Sequence, residues 1–303
     1  MSFLKLLEGL RNPFCDGLMN AITLMGDETV FLAVCLIVFW CVCKQEGYFL
    51  LTAGLGGTVA NQWLKIACRV PRPWVVDESF TIVEEARAGA GGYSFPSGHS
   101  QNAVGTFGGI ALWTKRRAAR VTGIALAALI CFSRMYLGVH TPLDVGVGAL
   151  CALVLIFALH PLMKRNDPRV NRILFAAVFA LSLAFVLFLS LAAFPADIDA
   201  ENLSEAVKNA YTLLGCSAGI LITHELDVRF IHFDTKAVWW AQIIKTALGL
   251  ALALALRVGL KPLLTALLGA NPWGAAIRYF ILVLFAGGVW PMTFRYFGQM
   301  GRR

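Results

Sequence analysis

Eight residues of this 303-residue chain combine types and spacings that could do chemistry: Lys65, Arg72, Ser97, Gly98, His99, Arg134, His140 and Asp144. They fall in three short segments. In the first, six residues separate Lys65 from Arg72, which Pro73 follows. The second runs Pro96, Ser97, Gly98, His99, and the third pairs Ser133 with Arg134 and continues to His140 and Asp144. Gly98 lets a backbone approach an anion closely, and Ser97 adds a hydroxyl donor; both fit a helix N-terminus, where free N–H groups favour negative charge. Arginines grip an oxyanion in a planar fork, and a lysine adds a point charge. Two histidines provide a nucleophile or base and an acid near neutral pH. Asp144 follows His140 by about one helical turn, so it can accept the proton of one ring nitrogen and leave the other free to attack. The inventory suits an oxyanion with a labile bond, above all a phosphate ester.

The elements that must position these residues are apolar. The chain is 58% hydrophobic and 15% charged, with a mean hydropathy of +0.69, whereas soluble domains carry about 25% charge. Runs long enough to cross a bilayer recur along the chain. The expected fold class is all-α, a polytopic membrane helical bundle of about nine spans, near residues 28–43, 48–66, 97–114, 121–138, 143–162, 172–194, 209–224, 237–257 and 277–297. Residues 1–27 read as an N-terminal interfacial amphipathic segment rather than a cleavable signal. Residues 28–162 read as the catalytic membrane core and 163–303 as additional transmembrane helices. Pro142 suits the first turn of the fifth span, placing His140 just before it. The glycine-rich stretch 89–92 suggests a mobile loop over the entrance of the third span.

Alternating spans bring the ends of the second and fourth helices, and the starts of the third and fifth, to one side of the membrane. The opposite side receives Lys44, Lys115, Arg116, Arg117, Arg120, Lys164, Arg165, Arg169, Arg172, Arg302 and Arg303, which marks it as cytoplasmic. The three segments then face outward together with the acidic loop of Asp197, Asp199, Glu201 and Glu205. Most of the basic residues behind the net charge of +8 lie in loops between spans, so the partner is the bilayer and no nucleic acid. The eight cysteines form neither a CxxC pair nor a zinc spacing and read as packing residues. Arg69 and Arg87 read as interfacial anchors. His160, and His224 and His232 with Glu225, Asp227 and Asp234, read as solvated loop or span-end residues. Lys245, in the middle of the eighth span, is a charge at bilayer depth without an assigned role.

Taken in order, Lys65 to Arg72 and Pro73, Pro96 to His99, and Ser133 and Arg134 to His140 and Asp144 resemble the three-part signature of the type 2 phosphatidic acid phosphatase (PAP2) superfamily, with no position missing. The resemblance covers roughly residues 28–162. It implies that His140 attacks phosphorus and forms a phosphohistidine, that Asp144 orients His140, and that His99 protonates the leaving oxygen. Lys65, Arg72, Ser97, Gly98 and Arg134 would hold the phosphoryl oxygens, with no metal and no cofactor. The implied protein is a membrane phosphatase of a lipid phosphate or pyrophosphate, in a bacterial cell membrane. The helices beyond Lys164 exceed the roughly six spans of many bacterial members. A nine-span layout is similar to the glucose-6-phosphatase branch, but that branch does not typically keep an Asp at the position of Asp144. The extra helices could shape a lipid entry, make a homodimer contact or serve a separate function. Competing expectations are hydrolysis of a soluble phosphate ester such as a sugar phosphate, phosphoryl transfer from a lipid to another acceptor, and anion transport. Transport needs cations but not an acid and nucleophile pair. A vanadium haloperoxidase shares the site pattern but has no use for these spans.

Overall fold

The computed structural model describes residues 1–301; Arg302 and Arg303, counted above among the cytoplasmic cations, lie outside the described residues. Among the described residues the fold is helical, with no strand. The chain opens with α1 (Ser2–Glu8), α2 (Pro13–Leu24) and α3 (Glu28–Ile37), the last continuing as a π-helical turn, Val38–Val42. Next come α4 (Lys44–Cys68), the single turn α5 (Pro73–Val76), and α6 (Gly98–Ala103), joined through a π turn at Val104–Gly108 to α7 (Gly109–Trp113). The long helices α8 (Arg117–Tyr136), α9 (Pro142–Met163), α10 (Pro168–Leu191), α11 (Ala200–Leu226) and α12 (Trp239–Leu268) follow, then α13 (Trp273–Leu284) and α14 (Phe294–Gln299).

Local chemistry sets the helix starts. Asn12 accepts from the Cys15 amide at 3.0 Å and Pro13 holds the first helical position of α2, and Asp167 with Pro168 repeats the device at α10. At α9 the capping is reciprocal: the Asp144 amide donates to Thr141 Oγ1 at 3.2 Å, and the Thr141 amide donates to Asp144 Oδ2 at 2.7 Å. This is a capping box with Asp in the third position, and it fixes the carboxylate of Asp144 before any chemistry is considered.

This is an all-α polytopic membrane protein. By length and hydropathy five helices qualify as spans: α8, α9, α10, α12 and the segment Trp273–Gln299. A sixth qualifies if α2 and Glu28–Val42, bent by 50°, form one broken span. The spans expected at 48–66, 97–114 and 209–224 fall on α4, on α6 with α7, and on α11. Those helices bury polar side chains, Thr52, Asn61 and Lys65 in α4, Ser100, Gln101 and Thr106 in α6 and the π turn after it, Ser217 and Thr223 in α11, which lowers their hydropathy; α6 and α7 are also short.

Two compact units divide the chain. The first comprises residues 1–32, 56–161 and 195–206. In it α8 packs against α2, α6 and α7, and its Ala127 and Ile130 share a buried apolar cluster with Ala103, Val104, Phe107 and, from α9, Ala152. The segment between α5 and α6, expected as a loose loop, is packed instead. Val83, Ala86 and Ala90 bury against Tyr136, Leu137 and Val139 at the end of α8, and the Val83 amide donates to the Leu137 carbonyl at 3.1 Å. Phe80 and Ile82 cluster with Leu4 of α1, and Arg11 ties this layer to the Tyr136 and Thr81 carbonyls at 3.0 and 2.7 Å.

The second unit comprises 33–55, 162–194 and 207 onward. Here the odd charge at Lys245 finds its role: the ammonium donates to the Trp40 carbonyl at 2.8 Å and the Thr235 carbonyl at 3.3 Å, and lies 4.3 Å from the centre of the Phe294 ring. The π turn at Val38–Val42 leaves carbonyls that a buried cation can satisfy. His224 is no loop residue; it is buried in α11 between the rings of Tyr48 and Phe175. Its acidic neighbours are engaged in ion pairs, Asp227 with Lys44 and Glu225 with Arg172 and Arg229.

Candidate active site

All eight residues singled out in the sequence, from five helix ends and the loops beside them, lie in the first unit. Lys65 sits in the last turn of α4 and Arg72 caps the start of α5. Ser97 caps α6, with Gly98 and His99 as its first residues. Arg134 lies in the last turn of α8, and His140 and Asp144 flank the start of α9. Lys65, Arg72, Ser97, Arg134, His140 and Asp144 are all buried, while Gly98 and His99 are half-buried.

His140 is held on both ring nitrogens. Nε2 lies 3.0 Å from Arg72 Nη1. A guanidinium can only donate, so Nε2 is the unprotonated nitrogen and the ring proton sits on Nδ1. Nδ1 faces Ser94 Oγ at 3.5 Å and Asp144 Oδ2 at 3.6 Å. Both distances are long for a hydrogen bond, so in this state Asp144 acts on His140 electrostatically, with the Ser94 hydroxyl bridging the two at long range. Its Oδ2 accepts from Ser94 Oγ and the Thr141 amide, each at 2.7 Å. Burial first, then the charges of Arg72, Arg134 and Lys65, hold the pKa of His140 well below the ordinary histidine value. The imidazole is therefore neutral and carries its lone pair on Nε2.

The cations are anchored by backbone carbonyls. Arg72 donates to Val139 from Nη1 at 3.1 Å, to Gly92 from Nε at 3.0 Å and to Gly91 from Nη2 at 2.6 Å. Burial pushes its pKa down to about 10, against the opposing pull of Asp144 and Glu205, so it stays charged at neutral pH. Lys65 donates to the Tyr93 carbonyl. Arg134 gives Nη1 to Thr23 Oγ1 at 2.8 Å, while its own carbonyl accepts the Val139 and His140 amides. Its Nε and Nη2 are buried and, among the described residues, have no hydrogen-bond partner. Leaving buried charged donors unsatisfied costs more than the roughly 1–3 kcal/mol of a neutral group; an oxyanion would remove that cost.

At α6, Ser97 Oγ accepts the Ser100 amide at 3.3 Å and the Ser100 hydroxyl at 2.9 Å, so its own proton remains to be donated. Among the described residues, apart from its chain neighbours and its own helix backbone, nothing lies within 4 Å of where a Cβ on Gly98 would stand. Ser97 is set by a close approach of α9: its amide donates to the Asp144 carbonyl at 2.9 Å, and a Cβ on Gly148 would fall 2.5 Å from its carbonyl oxygen. The charges of Arg134, Arg72 and Lys65 all act on His99. Ser133, part of the third segment, turns its hydroxyl back to the Ile130 carbonyl at 2.7 Å.

Sequence reasoning missed Ser94, Thr141, Gly148, Thr23 and the carbonyls of Gly91, Gly92 and Tyr93. Thr141 was legible as a Thr three residues before an acid at a helix start. Gly148 and Thr23 carry no signal in one sequence.

Residues 45–168 match the PAP2 superfamily, and residues 211–302 match the PAP2 superfamily phosphatase, transmembrane extension. Phosphatidylglycerophosphatase B of Bacillus subtilis is 28% identical over 181 residues, 54% of this chain and 80% of that protein. A probable sphingosine-1-phosphate phosphatase of Dictyostelium discoideum is 29% identical over 170 residues, 50% of this chain but 39% of that one. An undecaprenyl-diphosphatase of Sulfolobus acidocaldarius is 30% identical over 134 residues, 44% of this chain and 63% of the relative. No solved structure matches.

Proposed function

Because the chain belongs to the PAP2 superfamily and is a phosphoric ester hydrolase, we propose that it cleaves a lipid phosphate or pyrophosphate through a phosphohistidine, without a metal. The observation that carries this reading is the pairing of unpartnered Arg134 donors with a neutral, Nδ1-protonated His140 in one buried site. The first can donate to an oxyanion, and the second is a nucleophile with its lone pair already placed.

In this mechanism the phosphoryl oxygens take the free donors of Arg134, the amide end of α6 and the Ser97 hydroxyl. They also draw Arg72 Nη1 away from Nε2. Nε2 then attacks phosphorus as the bond to the leaving oxygen breaks, and His99 gives that oxygen its proton. The bound anion favours the protonated form of His99 beside it. Asp144 stabilises the charge that develops on His140. Water, losing a proton to His99, then attacks phosphorus; the phosphorus–nitrogen bond breaks, its electron pair returns to Nε2, and phosphate is released. Lys65, Arg72 and Arg134 offset the developing negative charge.

A lipid fits because the site belongs to helix ends of a membrane protein, and the relatives named above include enzymes of lipid phosphates and diphosphates. The charge asymmetry of the loops supports a site on the extracytoplasmic face, and the Bacillus relative supports a bacterial cell membrane. The test is a phosphate-release screen over lipid and sugar phosphates in detergent, with His140→Ala as control. Turnover of lipid substrates, lowered at least about a thousandfold by His140→Ala, is expected. A preference for sugar phosphates would overturn the lipid assignment, and undiminished turnover by His140→Ala would overturn the mechanism.

A further inference from the structure

Part of the surroundings of this site comes from outside the three segments. Arg72 binds the carbonyls of Gly91 and Gly92, and Lys65 binds that of Tyr93, so three consecutive carbonyls are clasped by site cations. The carboxylate of Glu205, near the start of α11, lies against the same strip of backbone. A methyl group on Gly91 would overlap both of its oxygens, and Oε2 stands 3.6 Å from where a Cβ on Gly92 would be. Its charge reaches Lys65 and Arg72. It is half-buried and, among the described residues, makes no side-chain hydrogen bond. Glu205 lies between the two matched regions, 45–168 and 211–302, and belongs to the first unit together with the site.

An ionised carboxylate only accepts hydrogen bonds. Beside a phosphate pocket it has two consequences for whatever is attached to the reacting phosphate. A hydroxyl or ammonium on the leaving group gains an acceptor. A second phosphate meets a like charge.

We propose that Glu205 determines specificity, favouring phosphate monoesters whose leaving group carries a hydroxyl or ammonium beside the phosphate and disfavouring diphosphates. This deepens the lipid phosphatase reading and rests on it. Gly91 is then glycine because any side chain would evict the carboxylate.

The experiment compares kcat/KM for three probes in detergent micelles: phosphatidylglycerol phosphate, whose glycerol hydroxyl neighbours the phosphate; farnesyl diphosphate; and phosphatidate, which has neither feature and serves as the reference. Glu205→Gln removes the charge, so the ratio of farnesyl diphosphate to phosphatidate should rise roughly tenfold. Glu205→Ala also removes the acceptor, so the ratio of phosphatidylglycerol phosphate to phosphatidate should fall roughly tenfold. Gly91→Ala keeps the carboxylate but displaces it, and should move both ratios in the directions of Glu205→Ala. A structural role alone would scale all three substrates together. Unmoved ratios in variants that still turn over phosphatidate overturn the proposal and leave the phosphatase reading intact. Failure of the unaltered protein on all three lipids overturns both.

Discussion

The ring of His140 is held between one cation and one carboxylate, and each side makes a separate prediction. On the Nε2 side, Arg72 is the largest charge, after burial itself, that keeps a proton off the ring. Replacing it by Gln removes that repulsion, so the pKa of His140 rises. The neutral nucleophile is then lost at a higher pH as the solution is acidified. The acid limb of the kcat/KM profile of Arg72→Gln should accordingly lie at higher pH than that of the unaltered protein, on top of a general loss of binding. An acid limb at an unchanged pH would mean that the limb reports some other group. On the Nδ1 side, Ser94 links the ring to Asp144. Ser94→Ala should lower kcat roughly tenfold, the cost of a lost hydrogen bond to a charged group, with KM little changed because Ser94 touches no phosphoryl oxygen in the proposed mechanism. A rise in KM at constant kcat would place Ser94 among the binding groups instead.

Helix α9 does more than carry Asp144: its first turn fixes the carboxylate by a capping box, and its second brings the helix backbone against Ser97. Gly148 makes that approach feasible. A Cβ there would meet the Ser97 carbonyl at 2.5 Å, whereas a Cβ on Gly146, in the same turn, meets nothing within 4 Å outside its own helix among the described residues. Alanine inside a helix is ordinarily favoured over glycine by about 0.5–1 kcal/mol. Gly146→Ala should therefore be neutral or raise the thermal midpoint of the solubilised protein. Gly148→Ala should lower both the midpoint and kcat/KM, because Ser97 and the start of α6 must shift; equal effects of the two would mean that α9 is free to move away. The contrast also shows what a single sequence can carry. Lys65, Arg72, His99, Arg134, His140 and Asp144 stand out because charge and imidazole are costly in an apolar chain, and their spacing puts them at helix ends. Gly148 is one of 28 glycines, and only the packing partner distinguishes it. Carbonyl acceptors such as those of Gly91 and Gly92 are present at every residue, so no residue type announces them. The segment before α6 looked loose from its glycines. Phe80, Ile82, Val83, Ala86 and Ala90, scattered among polar residues at no regular period, nevertheless find apolar partners at the end of α8 and in α1.

At the scale of the whole molecule the membrane reading follows from apolar helices, but the number of crossings does not follow from composition, since buried polar residues hide some helices from a hydropathy count. Five helices qualify outright and a sixth conditionally, against nine expected. The difference bears on function, because the parity of the crossings before α4 and after α9 decides which compartment the site faces. Charge gives an independent vote. The loop between α7 and α8 holds Lys115 and Arg116, with Arg117 opening α8, and the segment before α11 holds Asp197 and Asp199. An orientation that keeps the basic loop in the cytoplasm puts the acidic segment outside. The acidic segment leads into the helix turn that bears Glu205, whose carboxylate lies against Gly91 beside the site cations, so on the proposed reading substrate comes from the side that this segment occupies. In a background with all eight native cysteines replaced, single cysteines at Asp199 and Arg116 separate the alternatives. A membrane-impermeant maleimide applied to intact cells should label Asp199→Cys at once and Arg116→Cys only after permeabilisation. The reverse pattern would put the site in the cytoplasm and reject an outward-facing phosphatase. Labelling of both from outside would require an even number of crossings between them, at odds with α8, α9 and α10 as the three spans that separate the two loops.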